Sequence, residues 1–251
     1  MSPGEIRGEV RDGVGWVTIA RPEKRNALTR AMWNELPLVF GDLAARDGVV
    51  GIVIHGEGGT FGAGADLEDV LAATAGRAEA EAYCTEVVTA LLAVASCPAP
   101  TVALVSGVAA GGGAELAIAC DLRFADVGAS FSFPFARLGV VPDRFTLARL
   151  ASLLGASTAK RFVFSGETLD ATCAHGIGLV DEVVAAGGLE TAGTAWLETL
   201  RHGSRAARAA MKRALLEDET QLDVGALIGP MVESFLGGDV RAAAMRFLVR
   251  P

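Results

Sequence analysis

The chain has 251 residues, 51% of them hydrophobic, and its 22 Lys and Arg against 30 Asp and Glu leave a net charge of −8. That length provides for a full hydrophobic core, and no sustained Lys/Arg run supplies the basic face that nucleic acid needs. A general nucleic-acid binder is therefore excluded, and an anionic ligand has to be met by local basic residues.

Glycine is over-used, with 31 residues and no collagen period, as suits tight turns and close backbone approach. Cys84, Cys97, Cys120 and Cys173 form no CxxC pair, and His55, His175 and His202 are scattered. Neither a zinc site nor a disulfide framework is expected, and so no metal. The start, Met-Ser-Pro-Gly-Glu, lacks a basic segment followed by an apolar one, so a cytoplasmic protein with reduced thiols is expected.

Asp12-Gly13 within EVRDGVGWVTIA predicts a hairpin over residues 9–20. Residues 27–45 carry helical spacing in Leu28, Met32, Leu36, Val39 and Leu43, with Pro37 expected to kink or divide the helix, and 49–55 read as a buried strand. The order recurs: a loop over 56–66, helices over 67–96, a strand over 101–105, a glycine turn, a helix over 114–120 and strands near 122–125 and 130–133. The 28 residues from 87 to 114 hold no charge, but Pro98, Pro100 and Gly111–Gly113 interrupt them, so no membrane span is expected. Ser157 and Asp170 are predicted N-caps, and 179–184 a last strand. Helices are predicted near 190–200, 205–216, 224–235 and 239–248. Apolar strands alternating with helices imply a mostly parallel α/β core over residues 1–189, with a helical region over 190–251 covering it or a neighbouring subunit.

Two glycine-rich loops, GEGGTFGAGADL (56–67) and SGVAAGGGAEL (106–116), each follow a strand and open a helix. Free N–H donors at a helix start suit a phosphate or a developing oxyanion. Neither loop fits the P-loop or the dinucleotide fingerprint. Glu115 is the lone carboxyl of an apolar run and follows the triple glycine. Burial raises the pKa of such a group while the helix N-terminus lowers it, a placement suited to proton transfer. His55, at a strand end, reads as a packed core residue.

The segments RPEKRNAL (21–28), FGAGADL (61–67), GGGAELAIACDLRFA (111–125), FSFPFARLGVVPD (131–143) and GETLDATCAHGIGLVDEVV (166–184) together resemble the crotonase superfamily, also called enoyl-CoA hydratase/isomerase. The resemblance implies a fold of repeated strand-strand-helix turns with a C-terminal helical region forming trimers or hexamers. It implies an acyl-CoA thioester substrate whose oxygen lies between the N–H groups of Ala65 and Gly112, each donor being worth about 3–4 kcal/mol in the transition state. It places CoA near Arg21, Lys24, Arg25, Ala27 and Ala63, with Lys212 and Arg213 as further phosphate contacts. No separate cofactor is implied.

Hydratases of the superfamily pair the Glu115 position with a second glutamate, where this chain has Phe135. The branch with an aspartate after LGxxP uses it as the base of double-bond isomerisation, and Asp143 stands there. Asp143 also reads as the N-cap of a helix suggested by Leu147, Leu150 and Leu153. Phe135 and Phe145 are expected in the acyl pocket. Asp66, Asp121 and Arg123 are expected as loop anchor, helix stop and interface partner. Three readings stand: an isomerase with Asp143 as base assisted by Glu115, a hydratase using Glu115, and a non-catalytic acyl-CoA-binding protein.

Overall fold

Strands β1 (Glu5–Arg11) and β2 (Val14–Ala20) pair antiparallel, joined by Asp12 and Gly13, both at positive φ (49° and 79°), as the tight turn of a twisted hairpin requires. The computed structural model describes residues 4–220 and 224–248. Helix α1 (Arg30–Ala45) is capped by the Thr29 side chain and runs through Pro37 undivided. The proline removes one backbone donor, but Trp33, Leu36, Phe40 and Leu43 remain buried on one face, and that packing holds the helix together.

There follow β3 (Gly51–Gly56), α2 (Leu67–Ala73), α3 (Arg77–Ala95), β4 (Thr101–Val105), β5 (Val108–Ala110), α4 (Gly112–Ala119), β6 (Leu122–Asp126), β7 (Ser130–Ser132), α5 (Phe135–Leu138), α6 (Arg144–Leu154), α7 (Ala156–Ser165), β8 (Thr168–Asp170), α8 (Ala171–Gly176) and β9 (Glu182–Val184). The C-terminal helices are α9 (Leu189–Glu198), α10 (Arg205–Thr220), α11 (Val224–Leu236) and α12 (Asp239–Leu248). Asp170 caps α8 as expected, whereas α7 begins after Gly155 and Ser157 lies inside it.

The main sheet runs β1-β2-β3-β4-β6-β9, parallel after the first pair. Its strands read as unbroken apolar runs because both faces are covered. Ile52, Ile54, Ala103 and Val105 join the large core with α1, α3 and α4, while Val53, Val102 and Leu104 join the opposite face with Leu189 and Leu197 of α9. A second, three-stranded sheet, β5-β7-β8, carries α4 on the strand leading into it. The uncharged stretch 87–114 is thus divided among α3, β4, β5 and the start of α4, and among the described residues no helix is long and apolar enough to cross a membrane. Of the late helices, α9 packs on β4 and β6, α10 on α6, α11 on α3 and α12 on α2. The region from residue 190 therefore covers its own core, and α11 and α12 lie over the site described next.

Candidate functional site

The loop after β3 is stitched on both sides. Gly62 N–H donates to Val108 O at 2.9 Å and Ala110 N–H to Gly62 O at 3.0 Å, joining it to β5. Leu28 N–H donates to Gly64 O and Asp66 N–H to Leu28 O, both at 2.8 Å, tying its other end to the segment before α1. In this extended stretch successive amides alternate in direction, so Ala65 N–H points away from Leu28. It has no acceptor among the described residues, and neither has Gly112 N–H, the first donor of α4.

The two donors are brought together by the absence of side chains. A Cβ on Gly113 would lie 2.1 Å from Gly62 O, so only glycine lets the loops touch. Gly64, at φ +117°, takes a turn that side chains disfavour, and a Cβ on Gly112 would sit 3.3 Å from Ala65 N. The expected oxyanion pair is therefore adjacent, at the positive end of a helix.

An inner chamber of about 130 Å³ opens here, its wall formed by Ala65, Gly112, Glu115, Trp33, Tyr83 and Phe135 among others. Met231 and Phe235 of α11 and Val240, Ala243 and Ala244 of α12 complete it. Glu115, in the first turn of α4, is 4% exposed, and its Oε1 is buried without a hydrogen-bond partner. Burial, and then the charge of Asp143, push its pKa well above the ordinary carboxyl value, while the Thr146 hydroxyl offsets part of the rise.

Asp143 is placed differently from the expectation of a base in the pocket. It is fully buried as the N-cap of α6, Oδ1 accepting from Thr146 N–H at 2.9 Å and Oδ2 from the Thr146 hydroxyl at 2.7 Å, and it is not part of the chamber wall. Its pKa is raised by burial, with the hydrogen bonds from Thr146 opposing. The capping reading describes its contacts, and it reaches the chamber through its charge on Glu115. Phe145 is likewise a core residue away from the chamber, whereas Phe135 lines it.

An outer groove of about 560 Å³ is lined by Lys24, Arg25, Ala27 and Ala63, and shares Ala63, Ala65, Leu67, Pro134 and Leu138 with the chamber. Arg137, which the sequence reading missed, adds a third cation there. Arg21, expected among these contacts, is instead buried against Asp66 at 2.6 Å and donates to Ala27 O at 3.1 Å. Burial alone would raise the Asp66 carboxyl, but the Arg21 hydrogen bond and the first N–H groups of α2 hold it below its ordinary value. Lys212 pairs with Asp121 at 2.8 Å beside a separate cavity under α10, and Arg213 is exposed on the same helix. Arg123 is buried on Asp181 and on backbone carbonyls of its own chain, so its role is internal rather than at an interface. His55 is half-buried, its ring nitrogen 3.0 Å from the Thr18 hydroxyl, away from the chamber.

Tyr83, expected on a helix bordering the acyl channel but given no role, lines the chamber, as does Trp33, which no motif announces. Among the described residues no group of three or more His, Cys, Asp or Glu could hold a metal. Two converging amide donors beside one buried carboxyl equip the chamber to polarise a carbonyl and move a proton next to it.

The comparisons with known proteins agree with that equipment. Residues 9–226 match the Enoyl-CoA hydratase/isomerase family, and the chain belongs to it, as an enzyme of the crotonase superfamily. It is 38% identical over 200 residues (80% of this chain, 77% of the relative) to "Probable enoyl-CoA hydratase echA17" of Mycobacterium avium (strain 104). The solved enoyl-CoA hydratase of Mycobacterium avium subsp. paratuberculosis K-10 superposes with a TM-score of 0.83 at 28% identity, covering 97% of this chain and 95% of that one. The enoyl-CoA hydratase of Bacillus halodurans, at 22% identity, shares the fold with a TM-score of 0.88 over 96% of this chain and 99% of that one.

Proposed function

We propose that the protein is an acyl-CoA enzyme that moves a carbon–carbon double bond, with Glu115 as the proton carrier. The observation that carries this reading is that Glu115 is the one carboxyl on the chamber wall among the described residues, with Phe135 on the same wall where a hydratase would hold a second. The Glu115 carboxylate takes a proton from the α-carbon of a β,γ-unsaturated thioester. The C–H electrons form a double bond between the α-carbon and the thioester carbon, and the carbonyl pair moves onto oxygen, so the negative charge of the dienolate rests on the thioester oxygen. The N–H groups of Ala65 and Gly112 hold that oxygen; the carbonyl then re-forms, the α-carbon's pair becomes the α,β double bond, and the β,γ pair takes the proton that Glu115 returns at the γ-carbon. Nothing is gained or lost, so the reaction needs no cofactor beyond the CoA that the substrate carries.

A raised pKa makes Glu115 a stronger base once ionised, which suits a weakly acidic carbon. Lys24, Arg25 and Arg137 along the groove are the cations suited to CoA phosphates in a chain of net negative charge. Exposed Met211 and Leu215 on α10 support the expectation of contact between copies, as trimers or hexamers.

The second reading is hydration, favoured by the names of the relatives. Incubating β,γ- and α,β-unsaturated acyl-CoA esters with the enzyme in deuterated water and weighing the products separates the two. Double-bond migration without added water supports the isomerase; a product heavier by one water supports the hydratase.

A further inference from the structure

We infer that the chamber takes a short, uncharged acyl group, and that Phe235, closing against Tyr83, sets the length limit. The inference rests on the acyl-CoA reading above but not on which reaction follows. The passage from groove to chamber is formed by Ala65, Leu67, Pro134 and Leu138, which line both. A thioester oxygen at the Ala65 and Gly112 donors therefore directs the acyl chain inward past Glu115. What lies beyond is small. The chamber's volume of about 130 Å³ compares with roughly 150 Å³ for an apolar protein cavity that holds one benzene, so an acyl chain of about four to six carbons fills it.

Among the chamber residues that do not also line the groove is a ring pair. Tyr83 of α3 and Phe235 of α11 are each 2% exposed, with ring centroids 5.6 Å apart. Met231, from the same helix, and Ala244, from α12, are also buried and line the chamber with them. A longer chain has to displace Phe235 or part α11 from α3. Apart from Glu115 the side chains of this wall are apolar or aromatic, and the neighbouring carboxyl of Asp143 already opposes ionisation of Glu115. An acyl group ending in a carboxylate would bring a further acid into a poorly solvated space that already opposes ionisation, which disfavours that class of substrate.

The test measures calorimetric binding of butyryl-, hexanoyl-, decanoyl- and succinyl-CoA, which have no double bond to shift or hydrate, to the wild-type enzyme and to the variants Phe235→Ala and Ala244→Leu. In the wild type, decanoyl-CoA is expected to bind at least about tenfold more weakly than hexanoyl-CoA, the cost of methylenes that do not fit. Succinyl-CoA is expected to bind more weakly than butyryl-CoA. Phe235→Ala should recover decanoyl binding relative to butyryl by about tenfold. Ala244→Leu, which fills space rather than emptying it, should weaken hexanoyl binding more than butyryl binding. Decanoyl-CoA bound as tightly as hexanoyl-CoA by the wild type, or a length preference unmoved by both variants, overturns the inference. If the size limit holds while the products show hydration, the length inference stands and the isomerase reading falls.

Discussion

Glu115 feels the charge of Asp143, while Asp143 itself is held by Thr146. Thr146 Oγ1 donates its one proton to Asp143 Oδ2 at 2.7 Å, and the charge of Asp143 adds to burial in raising the Glu115 pKa. Both acids are buried, but only Glu115 lines the chamber. In the proposed reading Asp143 acts on the chemistry at one remove, as a positioning and tuning residue.

Asp143→Asn keeps an oxygen that can cap α6 and removes the charge. The Glu115 pKa should fall, because one of the two causes raising it is gone. Since Glu115 must be ionised to accept a proton, the acid limb of the pH profile of kcat/KM should move to lower pH. Tyr83 and Cys84, the other ionisable groups that feel the charge of Glu115, are both pushed upward by burial and stay neutral across that range. A profile that keeps its position would separate Asp143 from Glu115.

The raised pKa of Glu115 also bears on stability. Below its ordinary value of 4.5 the acid is protonated in both the folded and the unfolded chain, and its burial costs no charge. As the pH rises the unfolded chain ionises first, so stability falls until the folded-state pKa is passed. Glu115→Gln should leave stability unchanged near pH 4 and raise it at pH 8, where the cost of ionising a buried acid is gone. Denaturant midpoints at both pH values check this.

Gly113→Ala would set a methyl 2.1 Å from Gly62 O and force the two loops apart. The Ala65 and Gly112 donors would then no longer converge. Loss of one such donor costs about 10²–10³ in kcat, and a loss of that order is expected here. The affinity for a saturated acyl-CoA should change much less.

The basic residues of the segment before α1 should divide by role. Arg21→Met leaves Asp66 buried without its partner, and breaking a buried pair costs about 3–5 kcal/mol. Lys24→Ala and Arg25→Ala, exposed on the groove, should leave the melting temperature unchanged and weaken CoA-ester binding, more so at low salt. Equal effects on affinity from all three would return Arg21 to the binding surface.

Much of this architecture was legible in the sequence, because the strands and helices of the main sheet are long enough to show their period. β4 begins and ends at the expected residues, and the two glycine loops lie where their spacing put them. Of the second sheet only β7 was legible, as the strand expected near residues 130–133; β5 and β8 are three-residue strands too short to show alternation. Pro37 does not divide α1 because burial of the helix outweighs the lost donor. At the site, the converging donors could be read from local motifs, but the partners of Arg21 and Lys212 are 45 and 91 residues away in the chain. The chamber wall from α11 and α12 is equally remote in sequence. Asp143 carried two readings that only three dimensions could rank, since a cap and a base look alike in one.

The most direct test of the account compares single-turnover proton transfer in Glu115→Gln and Asp143→Asn, using a β,γ-unsaturated acyl-CoA in deuterated water. With Glu115 as the carrier, Glu115→Gln should lose double-bond migration by about 10²–10⁴, while Asp143→Asn, assayed at its own pH optimum, stays within about tenfold of the wild type. Migration that survives Glu115→Gln and vanishes with Asp143→Asn would contradict the account and make Asp143 the base.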